Sequence, residues 1–120
     1  MKDIQLGSVE ARFADIIWNN EPISSTALVK MSEEELGWKK STTYTVLRRL
    51  CDKGLFQNDG GTVCSVVSKD EFCAIQSERV VNDVFGGSLP AFLAAFTGRV
   101  KLPSETIEEL RRMVDEFKEE

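Results

Sequence analysis

Trp38-Lys39-Lys40-Ser41-Thr42-Thr43-Tyr44-Thr45-Val46-Leu47-Arg48-Arg49-Leu50-Cys51-Asp52-Lys53-Gly54 carries two patterns on one segment. Thr43, Val46, Leu47 and Leu50 recur at i, i+3, i+4 and i+7, the spacing that lines up one buried stripe on an α-helix. The other side carries Lys40, Tyr44, Thr45 and Arg48. The helix starts at Ser41 or the residue before it, and Gly54 stands just past its end, where a left-handed residue terminates a helix at little cost. Five bases (Lys39, Lys40, Arg48, Arg49, Lys53) face a single acid, Asp52, in this window, although the 120-residue chain has a net charge of −5. The last twenty residues reverse the balance, with four bases against seven acids. Local field, more than total charge, steers a surface onto phosphates. The helix from Lys40 to Lys53 is therefore expected to meet an anion.

Upstream, Ser8 is expected to cap a first helix from Val9 to about Asn19, with Phe13, Ile16 and Ile17 on one face and Trp18 at its edge. Pro22 ends it, because the residue before proline avoids helical geometry. Ile23-Ser24-Ser25 reads as extended, and Ser24 or Ser25 caps a second helix to about Leu36 that buries Ala27, Leu28 and Met31. Gly37-Trp38 is the turn into the third. Downstream, Leu55-Phe56-Gln57 and Thr62 to Val67 flank Asn58-Asp59-Gly60-Gly61, the signature of a hairpin. Helix, helix, turn, helix, hairpin is the order of a winged helix. The predicted fold is mainly α (α+β): a winged helix-turn-helix over residues 1–68, followed by a helical dimerisation region over 69–120.

Ser68-Lys69-Asp70-Glu71 matches a capping box opening a fourth helix to about Phe85, with Phe72, Ile75, Val80, Val84 and Phe85 apolar. Gly86-Gly87 stops it, Ser88 caps an apolar segment from Leu89 to Phe96, and 97–102 is a linker. Pro103-Ser104 starts a last helix with Ile107, Leu110, Met113, Val114 and Phe117 on one stripe. About fifty residues so arranged make a poor core alone. A monomer exposing Leu89, Phe92, Leu93 and Phe96 would carry a patch that soluble proteins avoid. Pairing with a second copy is the economical solution, and it multiplies affinity for a two-half-site DNA. The residues assigned to that pairing are Phe72, Val80, Val84, Leu89, Phe92, Leu93, Phe96, Ile107, Leu110 and Val114.

Residue usage narrows the chemistry. The chain has no histidine, which removes the commonest metal ligand and general base. Its three cysteines, Cys51, Cys64 and Cys73, are odd in number and form no C-x-x-C clip. No Gly-rich phosphate loop or nucleophile elbow is present. The expectation is a protein without catalysis, metal or cofactor. No run approaches the roughly 18 apolar residues of a membrane span, and Met1-Lys2-Asp3-Ile4 lacks signal-peptide character. A cytoplasmic location without membrane insertion follows as the expectation.

On the third helix, Arg48 can bond guanine bidentately in a major groove. Thr42 and Thr45 can bond a phosphate or touch a thymine methyl, and Tyr44 can reach a phosphate or pack on a sugar. Lys39 and Lys40 add phosphate contacts near the helix N-terminus. Arg49, one step off this face, either joins it or bonds an acid elsewhere in the domain. The wing tip from Asn58 to Thr62 has no Lys or Arg and is expected to offer backbone and amide contacts to phosphate rather than a charged grip. Two other classes compete with a DNA reader: a winged helix that meets an acidic protein, and a redox sensor using Cys51, Cys64 or Cys73.

Ile16-Ile17-Trp18, then Gly37 through Leu50, then Lys53-Gly54, Phe85-Gly86-Gly87-Ser88, and Leu102 with the helix start from Glu105 to Leu110 together resemble the penicillinase-repressor family (BlaI/MecI/CopY transcriptional regulators) over nearly the whole chain. The resemblance implies a homodimeric repressor on a palindromic double-stranded DNA operator. The family's Trp-x-x-x-Thr-x-x-Thr pattern maps onto Trp38, Thr42 and Thr45, with Ser41 and Tyr44 at neighbouring contact positions. Several relatives have Ser-Pro after the Trp and Arg at the Tyr44 position, so this chain's Lys39-Lys40 and Tyr44 imply a different operator. One branch of the family is released when a membrane-bound metalloprotease sensor system leads to cleavage at an Asn-Phe bond. The corresponding bond here is Ala95-Phe96. The copper-responsive branch uses Cys-x-Cys pairs near the C-terminus, and this chain has no Cys beyond Cys73.

Overall fold

The computed structural model describes residues 5–117. The residues Met1 to Ile4 at the start, and Lys118, Glu119 and Glu120 in the tail's charge balance, lie outside them. The elements in order are α1 (Ser8–Asn20), β1 (Ile23–Ser24), α2 (Ser25–Leu36), α3 (Lys40–Asp52), β2 (Phe56–Asp59), β3 (Thr62–Ser65), α4 (Lys69–Phe85), α5 (Leu89–Thr97) and α6 (Ser104–Glu116). This is the α+β winged helix that the sequence predicts. The chain divides into two compact units, residues 1–75 and 76–120, and the division falls inside α4.

In the first unit, α1 is capped by Gly7 rather than Ser8. The Gly7 N–H donates to Glu10 Oε1 at 3.2 Å, so the first-turn carboxylate reaches back to the cap residue's own N–H, the carboxylate half of a capping box. Ser24 is the cap of α2, accepting from the Ala27 N–H at 3.1 Å. That helix turns Leu28 and Ser32 into the core with Met31 half-buried, and leaves Ala27 exposed. Positions 28, 31 and 32 define its inner face, and Ala27, predicted as buried, falls one step outside. Gly37 ends α2 with φ 69, and Gly54 follows α3 with φ 86; both conformations belong to glycine.

The sheet has three strands in the order β1-β3-β2, all antiparallel. β2 and β3 close through Gly60-Gly61, with φ 60 and 95 and Asp59 paired to Thr62. Two successive positive φ values make the tight turn whose twist suits a hairpin. β1 joins the far edge with Ile23 opposite Val63 and Ser24 opposite Thr62. The strand region predicted to run to Val67 stops at Ser65. Past it, the Val66 and Val67 N–H groups both donate to the Leu55 carbonyl.

The core gathers Phe13, Ala14, Ile16 and Ile17 of α1 with Ile23, Leu28, Val46, Leu47, Leu50, Leu55, Phe56, Val63 and Val67. Trp18 packs on Phe56 and Phe72 at ring distances of 5.3 and 5.5 Å, and its indole N–H donates to the Val67 carbonyl at 3.1 Å. The first turn of α4 belongs to this unit: Ser68 Oγ accepts from the Glu71 N–H, and Lys69 pairs with Asp15 at 2.8 Å. Hydrogen bonding to Asp15 raises the Lys69 pKa above its ordinary value.

In the second unit, Gly86 and Gly87 have φ 58 and 83 and break α4 from α5. Ser88 Oγ caps α5 by accepting from the Ala91 N–H at 3.1 Å. Phe85 meets Phe92 edge-on at 5.5 Å, and Phe92 lies 6.1 Å from Phe96. No side chain of α4, α5 or α6 is buried. Among the described residues, no single helix is long and apolar enough to cross a membrane.

Candidate nucleic-acid interface

The rotation of α3 is fixed by its buried stripe. Thr43, Val46, Leu47 and Leu50 are all buried against the first unit's core. At 100° per residue, the opposite line of the helix then carries Ser41, Thr45, Arg48 and Asp52, with Thr42 and Arg49 on one flank and Tyr44 on the other. Lys39, Lys40, Ser41, Thr42, Thr45 and Arg48 are all exposed. Among the described residues, no acid pairs with Lys39, Lys40 or Arg48.

The N-terminus of α3 is open. Lys39 occupies its cap position and provides no side-chain acceptor, so the first-turn N–H groups face outward uncapped. Such groups, with a positive helix-dipole end and two lysines beside them, suit a phosphate. Thr43 Oγ1 and Thr45 Oγ1 turn back to the Lys39 and Ser41 carbonyls, at 3.1 and 2.9 Å. Thr45 thus keeps its hydroxyl on the helix, and Thr43 serves the buried side.

Two residues of the predicted DNA-contact group are otherwise engaged. Arg49 Nη1 reaches Glu10 Oε2 of α1 at 3.3 Å. The bond from Gly7 first, then the Arg49 guanidinium and Lys53, hold the Glu10 carboxyl below its ordinary pKa. Of the two roles open to Arg49 in the sequence, the structure displays the bond to an acid. Tyr44 is half-buried, and its hydroxyl donates to Ser25 Oγ at 3.2 Å. Asp52, the single acid of this window, also falls on the outward line, a placement that sequence reasoning missed because one acid at the end of a basic helix looks like an ordinary solvated residue.

The hairpin stands beside α3 across a cleft of about 210 Å³ lined by Tyr44, Leu47, Arg48, Cys51 and Asn58. Burial pushes the Cys51 thiol above its ordinary pKa, with Asp52 adding to the effect. Cys64 Sγ accepts from the Gln57 amide at 3.2 Å, and Cys73 is exposed.

The residues assigned to pairing divide. Phe72 packs against Trp18 and the first unit's core, which removes it from the tail group. The other nine lie in the second unit. Val80, Val84, Leu89, Phe96, Ile107 and Val114 are exposed, and Phe92, Leu93 and Leu110 are half-buried. Val80, Val81, Leu89 and Phe92 line an open apolar groove of about 570 Å³. Val81, Val100, Met113 and Phe117 extend the apolar surface beyond the predicted set. Ala95 and Phe96 are exposed on α5, one turn or less from its end at Thr97, whose hydroxyl donates to the Leu93 carbonyl at 2.7 Å.

The comparisons with known proteins agree with this architecture. A family model described as penicillinase repressor matches residues 6–116, which takes in both units. The chain is also similar to the penicillinase repressor of Bacillus licheniformis, with 26% identity over 123 residues that cover 98% of this chain and 96% of that protein. A match that runs from α1 through the end of α6 leaves no element of the fold outside it, and the chain belongs to the penicillinase repressor family.

Proposed function

We propose that this chain is a homodimeric repressor that binds a palindromic operator in double-stranded DNA through α3. The observation that carries the proposal is the outward face of α3. It presents an uncapped helix N-terminus with Lys39, Lys40, Ser41 and Thr42, then Thr45 and Arg48 one and two turns on, all exposed and held in register by a fully buried opposite stripe. Lys39, Lys40 and the first-turn N–H groups grip phosphate, while Arg48 reads base edges. The wing contributes backbone and the Asn58 amide. Pairing through the nine tail residues places two such helices on two half-sites, which a single helix of this charge could not hold tightly.

Release by an inducing signal completes the proposal. Cleavage at Ala95-Phe96, in response to a membrane-bound metalloprotease sensor system, would cut α5 and remove Phe96 from the apolar face. The bond sits near the helix end, so opening the last turn is enough to present it to a protease. A thiol switch at Cys51 is disfavoured, since a thiol with raised pKa holds less of the reactive thiolate.

A gel shift with the DNA upstream of the chain's own gene tests the proposal. Salt-sensitive retention at a discrete palindrome is expected, and Arg48→Ala should weaken it by about 1–3 kcal/mol while relaxing sequence preference. No specific retention anywhere in that DNA, or an Arg48→Ala protein with unchanged affinity, would contradict it.

A further inference from the structure

Three elements of the first unit meet around Ser25, the first residue of α2. Its N–H donates to the Gly61 carbonyl in the wing turn at 2.7 Å. Its Oγ accepts from the Tyr44 hydroxyl of α3 at 3.2 Å. On the wing side, Gly61 is fixed a second time, because its N–H donates to Asn58 Oδ1 at 3.0 Å. A Cβ built on Gly61 would lie 3.8 Å from Ser25 Oγ, so turn and helix start are in near contact. Tyr44 and Asn58 also line the cleft between α3 and β2, together with Arg48.

This chain of bonds runs Asn58, Gly61, Ser25, Tyr44, and it crosses from the wing to the reading helix. The wing tip has no Lys or Arg and its exposed Asp59 repels phosphate, so its contribution to binding depends on where its backbone sits. We propose that Tyr44 is a positioning residue that acts through Ser25 to hold the wing turn at a fixed offset from the reading face of α3. The proposal deepens the DNA-binding function above and rests on it. Tyr44 then makes no DNA contact of its own: its half-buried ring fills the side of the cleft and its hydroxyl is committed to Ser25. Base reading falls to Ser41, Thr42, Thr45 and Arg48.

The consequence is a coupling that a direct contact would not produce. If Tyr44 works through Ser25, removing either hydroxyl breaks the same link, and removing both does no further harm. Tyr44→Phe, Ser25→Ala and the double variant would be titrated on the operator, with hydroxyl-radical footprints and thermal midpoints recorded for each. Each single variant is expected to lose roughly three- to tenfold in affinity, in line with one neutral hydrogen bond. The double variant should match the weaker single. Protection should fade at the flanking phosphates under the wing and persist beneath α3. Additive losses, or protection lost beneath α3 instead, would place the Tyr44 hydroxyl on the DNA and overturn the proposal. A Tyr44→Phe protein that binds as well as the original would also overturn it.

Hydrogen exchange at the Ser25 amide in the free protein separates this proposal from the function it rests on. That amide donates to Gly61, and loosening the wing should speed its exchange by about tenfold in Tyr44→Phe. Unchanged exchange would overturn the link whatever the DNA result. Faster exchange in a chain that binds no specific DNA would instead count against the proposed function. Should Tyr44→Phe lower the thermal midpoint markedly, Ser25→Ala, on a small hydroxyl at a helix start, carries the same footprint test.

Discussion

The two units of this chain solve the problem of apolar surface in opposite ways. The first unit, 1–75, buries thirteen hydrophobic residues among those described, around Phe13, Leu50 and Phe56, and closes that core with a three-stranded sheet. The second, 76–120, buries no side chain among its described residues, although α5 is the most apolar of the described helices and α6 is strongly amphipathic. An amphipathic helix holds its fold mostly through tertiary packing of its apolar face. The first unit finds that packing within itself. The second leaves Val84 at 69% and Val114 at 63% exposed, and its completion by another chain is the proposal that follows from the contrast.

The largest expected effect tests the first side of the comparison. Phe56→Ala removes a ring that is 1% exposed and packed on Trp18, and should cost about 3–5 kcal/mol in denaturant unfolding. A loss under about 1 kcal/mol would mean that the core is far looser than its burial implies. The second side is sharpened by Leu89→Asp. Leu89 is half exposed at the first position of α5, where an acid suits the helix N-terminus. The isolated fold should tolerate it, while an unpaired charge buried between two chains should weaken dimerisation by more than about a hundredfold. Sedimentation reads the dimer and circular dichroism reads the fold. Unfolding of the first unit, or an intact dimer, would break the comparison.

Smaller effects lie on the surface of the first unit. The Glu10 pKa is lower in the folded chain than its ordinary value. Its contribution to stability is therefore complete above the ordinary carboxylate range and is lost as pH falls through the depressed pKa. Glu10→Gln should flatten that acid-side loss and cost less than about 1 kcal/mol at neutral pH, since the Arg49 partner is half exposed. An unaltered pH profile would remove the Gly7 and Arg49 bonds from the account. Smallest of all, Asp52→Asn removes an acid from the outward line of α3. Operator and non-specific DNA should both be bound about two- to threefold tighter, because phosphate repulsion is relieved without a new base contact. Tighter binding to the operator alone would make Asp52 a reader of sequence.

Much of the fold was legible because its signals are local. The stripe of Thr43, Val46, Leu47 and Leu50 fixes both the helix and its buried side. Asp-Gly-Gly fixes the hairpin, since few residues other than glycine tolerate positive φ at both turn positions. β1 was foreseen only as extended chain: two residues, Ile23 and Ser24, carry no periodicity, and their pairing with Thr62 and Val63 lies some forty residues away. Sequence separation also hides the bonds that engage two candidate site residues within the unit. Arg49 meets Glu10 across 39 positions and Tyr44 meets Ser25 across 19. On a helical wheel both look like outward polar residues, and only the packing of α1 and α2 against α3 separates them from Arg48. Phe72 follows the same logic, as its helical spacing matches the tail while its ring rests on Trp18.

Fluorescence anisotropy on labelled upstream DNA, titrated with the chain at several salt concentrations, tests the central claim most directly. Two chains should bind per palindrome. The affinity should fall steeply as salt rises, and exceed that for a scrambled duplex by at least about a thousandfold. Equal affinity for scrambled DNA, or a complex holding one chain with no dependence on salt, would contradict it.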